Sequence, residues 1–244
     1  MDATTPVVFL HAFPLNAGMW AGQVEALPDR ATLAPDFPGF GGRAPGVSDL
    51  EGFARSALAD MDAAGIGKAV VVGLSMGGYV AFRLLGLAPE RVVGLVLADT
   101  KAGADNEAGR TKRTDQAARV RAEGVAWMPD AFAPALLGPT TMASRPEVVG
   151  YVKELVGKAD PEGVARALEA MRERPDSTPQ LGTIRVPTLV VVGEEDGLTP
   201  VADARILADG IPGAELEVLP GAGHLANLED PAAFNAALTS FLGR

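Results

Sequence analysis

Ser75 lies in Gly73-Leu74-Ser75-Met76-Gly77-Gly78, directly after an apolar run at 69–72 and directly before a helical pattern. A serine on so tight a strand-to-helix turn has its hydroxyl lifted clear of the backbone, at the cost of strained backbone angles. Side chains two residues to either side would collide, which asks for glycine at 73 and 77, and Gly78 leaves room for the helix to close on the sheet. The amide of Met76 then opens the helix, where negative charge is stabilised. Such a serine suits nucleophilic attack, and a serine needs a base to take its proton. The chain holds only two histidines, His11 and His224. His224 sits in the glycine-rich loop Pro220-Gly221-Ala222-Gly223-His224, ahead of the last helical pattern, and is the candidate base. His11 ends the first apolar run and reads as a structural brace for the adjoining loop. The third requirement is a buried carboxylate to hold the imidazole in one tautomer and stabilise its protonated form. Asp196, in Gly193-Glu194-Glu195-Asp196-Gly197, is the first candidate, and Asp99, at the end of an earlier apolar run, is its rival. Glu194 and Glu195 read as solvated loop charges. Close to Asp196 they would oppose its ionisation.

These residues need a frame that brings distant loops together. Short apolar runs at Val7–Leu10, 32–35, 69–72, Val92–Ala98, 188–192 and Glu215–Leu219 alternate with helical patterns near 18–26, 49–64, Met76–Leu87, 201–209 and 232–242. Apolar on both faces and separated by helices, they predict a mostly parallel sheet of about six strands covered on both sides. Ser48 and Asp49 offer a helix cap, and Asp230-Pro231 a second helix start. Residues 101–185 break the alternation with helical patterns at Glu107–Glu123, Pro146–Gly157 and 161–174 and no strong strand. Within them, Arg110-Thr111-Lys112-Arg113 reads as a solvated helix face.

Length and composition exclude several classes. At 244 residues the chain fits one domain, 1–244, with a substantial core. It has no cysteine, hence no disulfide or thiolate metal site, and no His or carboxylate cluster has metal-ligand spacing. Gly39-Phe40-Gly41-Gly42 lacks the spacing of a dinucleotide fingerprint, so no cofactor is expected. The net charge of −10 disfavours nucleic acid and anionic membrane surfaces as partners. No run approaches the roughly 18–20 apolar residues of a membrane span, and the first residues, Met1 to Pro6, carry no basic region, so the cytoplasm is the expected compartment.

With Ser75, Asp196 and His224 in that chain order, the sequence resembles the α/β-hydrolases along nearly its whole length. Leu10-His11-Ala12-Phe13-Pro14 resembles the family's His-Gly oxyanion loop, with Ala12 in place of the usual glycine. The resemblance implies the Phe13 amide as a second oxyanion donor beside that of Met76. Asp36-Phe37-Pro38-Gly39-Phe40-Gly41-Gly42 resembles the family's Asp-x-x-Gly-x-Gly turn. Residues 223–231 are similar to the histidine loop of small esterases and enol-lactonases. The Gly-x-x-Asp context favours Asp196 over Asp99, although some hydrolases of this fold place the acid at the earlier strand. The family's antiparallel N-terminal hairpin is missing from the pattern, and 101–185 occupies the place of its helical cap. A serine at the turn disfavours dehalogenases and epoxide hydrolases, which carry aspartate there.

The resemblance therefore implies a serine carboxylesterase working through an acyl-enzyme. An enol-lactonase or other lactonase and a perhydrolase use the same parts. A non-catalytic ligand-binding protein on this fold is the alternative from another class, which the complete set of Ser75, Asp196 and His224 argues against. The expected partner is a small, uncharged or weakly charged ester or lactone, with short acyl chains preferred; oligomeric state is left open. The apolar residues in the middle of the cap, Val125 to Met128 with Trp127, Phe132 and the pair Leu136-Leu137, should supply some of the pocket wall, Trp127 and Leu137 foremost, with Leu198 and Leu225 beside the acid and base loops as the opposite wall.

Overall fold

Four of the six apolar runs are strands with every residue buried or nearly so. The computed structural model describes residues 2 and 4–243; Met1 and Ala3, from the N-terminal segment considered above, and Arg244 lie outside the described residues. In chain order the elements are β1 (Val7–Leu10), α1 (Ala21–Glu25), β2 (Thr32–Leu33), α2 (Leu50–Ala63), β3 (Ala69–Leu74), α3 (Met76–Leu87) and β4 (Val92–Ala98). The helices α4 (Glu107–Glu123), α5 (Met128–Leu136), α6 (Pro139–Ser144), α7 (Pro146–Gly157) and α8 (Pro161–Arg172) follow. The chain then returns through β5 (Thr188–Gly193), α9 (Val201–Gly210), β6 (Glu215–Leu219), α10 (Ala226–Glu229) and α11 (Pro231–Leu242).

The sheet order is β2-β1-β3-β4-β5-β6, with every pairing parallel. Helices cover both faces, so β1, β3, β4 and, after its first residue Thr188, β5 carry no polar side chain. β6, at the edge, keeps a partly exposed alternating pattern. The chain runs outward from β1 to β2, then returns to lay β3 against the other side of β1, pairing Leu10 with Gly73. That reversal opens a crevice beyond the carboxyl ends of β1 and β3, the place where parallel sheets bind ligands. The loop after β1 carries Phe13 and the turn after β3 carries Ser75.

Two expectations shift. The strand expected at 32–35 is only Thr32–Leu33, because Pro35 has no N–H to pair and restricts Ala34 before it. Between β4 and β5 there are five helices where the pattern predicts three. Both additions are proline-marked: α5 has Pro129 in its first turn and Pro134 inside, and the six-residue α6 begins on Pro139. Proline at a helix start is harmless, since that N–H is unpaired anyway, but it reads as a breaker in sequence.

Caps fix the helix entries. Asp49 accepts from Gly52 N–H at 2.7 Å, Asn106 from Gly109 at 2.9 Å, Asp160 from Gly163 at 2.9 Å and Asp230 from Ala233 at 3.0 Å. α4 packs on α8 and α5 on α7. α8 reaches the main sheet where Gly163 meets Gly39, whose φ is +90°; a Cβ on either glycine would come within 2.5 Å of the other's backbone. No described helix is long and apolar enough to cross a membrane.

Candidate active site

Ser75 has φ 54° and ψ −113°, a left-handed conformation that a non-glycine residue adopts only when its surroundings impose it. Here they do. Its N–H donates to Ala98 O at 3.0 Å, and its carbonyl accepts from Gly78 N–H at 2.9 Å and the Thr100 hydroxyl at 2.8 Å. A Cβ on Gly73 would fall 2.4 Å from Gly77 O, and one on Gly77 would fall 2.0 Å from Leu10 O. Glycine at both positions is a steric requirement of the turn.

His224 arrives from the far end of the chain. Its Nε2 lies 2.8 Å from Ser75 Oγ and its Nδ1 lies 2.8 Å from Asp196 Oδ2, with all three side chains buried. Asp196 is itself held by a compact turn: Oδ1 accepts from Leu198 N–H at 2.8 Å and Thr199 N–H at 2.9 Å, and Oδ2 from the Thr199 hydroxyl at 2.7 Å. Burial alone would raise this carboxyl. The His224 charge and hydrogen bond, with those from Thr199, outweigh it and keep Asp196 below the usual carboxylate range, as an anion. Thr199 escapes a motif search; the spacing Asp196-x-x-Thr199 is its only trace in sequence.

Asp99 sits nearby with φ 43° but makes no hydrogen bond to His224. Its carboxylate oxygens accept from Gly193 N–H at 2.9 Å and Ala226 N–H at 3.2 Å, stapling the end of β4 to the end of β5 and the start of α10. Burial, and after it the Asp196 charge, push its carboxyl well above the usual range. His11 is a brace by geometry: Nδ1 donates to Ala12 O at 2.9 Å, Nε2 accepts from Phe37 N–H at 3.0 Å, and the ring packs on Phe37 and Phe40. Burial pulls this imidazole down to about 4, so it is neutral. The N–H groups of Phe13 and Met76 make no hydrogen bond to another described residue.

A cavity of about 380 Å³ opens over Ser75 and His224. Its apolar lining includes Phe13, Trp127, Ala131, Phe132, Leu136 and Leu198; most of it comes from α5 and the residue before it. Its polar lining, Tyr79, Lys101, Asp105, Lys112, Arg113 and Gln116, comes mainly from α4 and the loop that leads to it. Trp127 and Leu198 line it. Leu137 and Leu225 do not: both are buried in the core outside the cavity. Leu137 is the residue after α5 ends, so Leu136 takes the lining position, while the Leu225 N–H is tied to Glu229 at 3.1 Å.

Two charge readings also change. Arg110 of the basic run pairs with Glu173, but Lys112 and Arg113 turn into the cavity, because Gly109, Lys112, Arg113 and Gln116 share one face of α4. Glu194 is exposed as expected. Glu195 instead accepts from the N–H and hydroxyl of Thr140, at 2.9 and 2.6 Å, and Glu229 bridges Gly138 N–H at 2.8 Å to Leu225 N–H. These two carboxylates clasp the start of α6 to the acid and base loops. Among the described residues, no group of three or more His, Asp or Glu could hold a metal ion.

Comparison with known proteins agrees with this architecture. 3-Oxoadipate enol-lactonase 2 of Acinetobacter baylyi is 30% identical over 242 residues, 98% of this chain and 88% of that one. A thermophilic esterase from Thermogutta terrifontis, solved with malate bound, superposes with a TM-score of 0.94 at 38% identity, over 98% of this chain and 89% of that one. The enol-lactonase from Burkholderia xenovorans LB400 gives a TM-score of 0.91 at 30% identity, over 99% and 92%. The family of the α/β-hydrolase fold matches residues 5–231, from just before β1 to the start of α11. A match that spans the sheet, the serine turn and the histidine loop together leaves one assignment: the chain belongs to the α/β-hydrolase fold family.

Proposed function

We propose that the protein hydrolyses small carboxylic esters through an acyl-enzyme formed on Ser75. The observation that carries this reading is the unbroken relay of 2.8 Å contacts from Ser75 Oγ through His224 to Asp196. As Ser75 Oγ attacks the ester carbonyl, His224 Nε2 takes its proton and Asp196 stabilises the resulting imidazolium. The carbonyl oxygen becomes an oxyanion, and the N–H groups of Phe13 and Met76, both without a partner among the described residues, receive it. Collapse of the tetrahedral species expels the alcohol, which leaves with the proton from His224. A water deprotonated by His224 then attacks the acyl-enzyme, and the second collapse releases the acid and restores Ser75.

In this reading 1–244 is one domain and 101–185 is a cap, and substrate lies between the cap and the crevice of the sheet. The limited volume of the cavity, about 380 Å³, favours short chains over polymers or long lipids. Lactones are the second reading, favoured by the likeness to two enol-lactonases over nearly the full chain. A lactone passes through the same steps with its alcohol still tethered. The test is turnover of short-chain esters and lactones by the wild type, Ser75→Ala and His224→Ala. Each variant should lose about 10⁴-fold or more in kcat, since members of such a relay act as a unit. Activity within tenfold of wild type in either variant would end this reading.

A further inference from the structure

Beyond the relay, the least expected property of the site is its charge. In a chain with ten more acidic than basic residues by formal charge, the cavity over Ser75 is lined by three cations, Lys101, Lys112 and Arg113, and one acid, Asp105. Asp105 does not cancel them. It is already held between two guanidiniums, Arg113 and, at 2.8 Å, the buried Arg174. Burial alone would raise its carboxyl, but hydrogen bonds from Arg174 and Arg113 hold it below the usual range, so this cluster carries a net positive charge. Arg174 lies 4.3 Å over the ring of Tyr79, another lining residue, which fixes the cluster to the wall of the cavity.

The two lysines differ from that cluster, because their ammonium groups have no ion pair or hydrogen bond among the described residues. Lys101 is half-buried, in the loop that follows β4 and Asp99. Lys112 and Gln116 border both the cavity and a shallow depression on the outside of α4, so they stand at the mouth. The acids of that helix nearest to Lys112, Glu107 and Asp115, border the outer depression and do not line the cavity. The result is a two-sided pocket: α5 offers apolar surface to a hydrocarbon chain, and α4 offers unpartnered positive charge.

We propose that the non-reacting arm of the substrate ends in a carboxylate, held at the cavity mouth by Lys101 and Lys112 while its ester carbonyl meets Ser75. This rests on the ester-hydrolase reading and sharpens its substrate class to half-esters of dicarboxylic acids and lactones bearing a carboxylate arm. It also replaces the expectation of an uncharged ester. Ammonium groups act here as point charges that steer and retain the anion, the half-buried Lys101 less screened than the exposed Lys112.

The experiment uses the full-length protein and two esters of equal length, ethyl hydrogen adipate and its primary-amide counterpart ethyl 5-carbamoylpentanoate. The ratio of their kcat/KM values isolates the carboxylate. It should exceed about tenfold in the wild type, and Lys101→Met and Lys112→Met should each lower it about three- to tenfold, through KM. Lys112→Glu should lower it further by repulsion, and salt at about 0.5 M should compress the wild-type ratio by screening. A wild-type ratio near or below one, or a ratio unmoved by both methionine substitutions, overturns the proposal. A phosphate-ended ester preferred to the carboxylate-ended one overturns the carboxylate assignment as well. Hydrolysis that depends on Ser75 but ignores the carboxylate would refute this proposal alone. Hydrolysis indifferent to Ser75→Ala would remove the ester-hydrolase reading and this proposal with it.

Discussion

At the scale of single residues, the environment of each ionisable group separates the acid of the relay from its neighbour. Asp196 carries the ionic hydrogen bond to His224, whereas Asp99 accepts only from two backbone N–H groups and is driven toward its neutral form. Asp196→Asn should therefore cost on the order of 10³–10⁴ in kcat, because the amide favours the wrong imidazole tautomer. Asp99→Asn removes no partner of His224 and should cost less than about tenfold in kcat. Steady-state kinetics of the two variants checks this, and the opposite order would move the acid to β4. His11 gives a prediction about stability. Its folded value of about 4 lies below the roughly 6.5 of an unfolded histidine, so between those pH values the unfolded chain binds a proton that the folded chain does not. Stability is then lost as pH falls from about 6.5 toward 4, by about 2 kcal/mol between pH 7 and pH 5. Urea unfolding at both pH values should show a drop larger by that amount in the wild type than in His11→Asn; equal drops would contradict it.

At the scale of elements, α4 and the clasp onto α6 show what sequence could and could not reveal. Ser75, Asp196 and His224 were legible because each lies in a glycine-bearing loop beside an apolar strand, a local pattern with a local cause. The cationic face of α4 was not, because a charged helix is normally solvated and only docking on α8 aims Lys112 and Arg113 at the cavity. Of the Leu136-Leu137 pair only Leu136 lines the cavity, since an apolar pair next to a helix end does not fix in sequence which member faces the site. Glu195 and Glu229 were invisible for a related reason: their partners, Thr140, Gly138 and Leu225, lie 55, 91 and 4 residues away. Glu229 is the stronger case, being buried with both carboxylate oxygens on backbone N–H groups. Glu229→Ala leaves both donors buried without a partner and should cost about 3 kcal/mol of stability, with Glu229→Gln costing less. Chemical denaturation measures both; an effect below about 0.5 kcal/mol for the alanine variant would show that α6 and the base loop hold together without the clasp.

At the scale of the whole molecule, the order β2-β1-β3-β4-β5-β6 explains why residues 13, 75, 196 and 224 meet. The reversal at β1 and β3 makes the crevice, and parallel β5 and β6 deliver the Asp196 and His224 loops to the same edge of the sheet. The parallel, helix-covered sheet followed from the alternation of apolar runs and helical patterns; the strand order did not, because pairing between distant strands leaves no local trace. The number of helices between β4 and β5 did not, because α5 and α6 begin on or beside prolines. The claim on which the account turns is that this convergence makes Ser75, alone among the serines, a nucleophile. Incubating the full-length protein with a fluorophosphonate and mapping the adduct by peptide mass spectrometry tests it directly. The account predicts one adduct per chain, on Ser75, lost in Ser75→Ala and formed far more slowly in His224→Ala. An intact protein that takes up no label, or a label on any other residue, would contradict it.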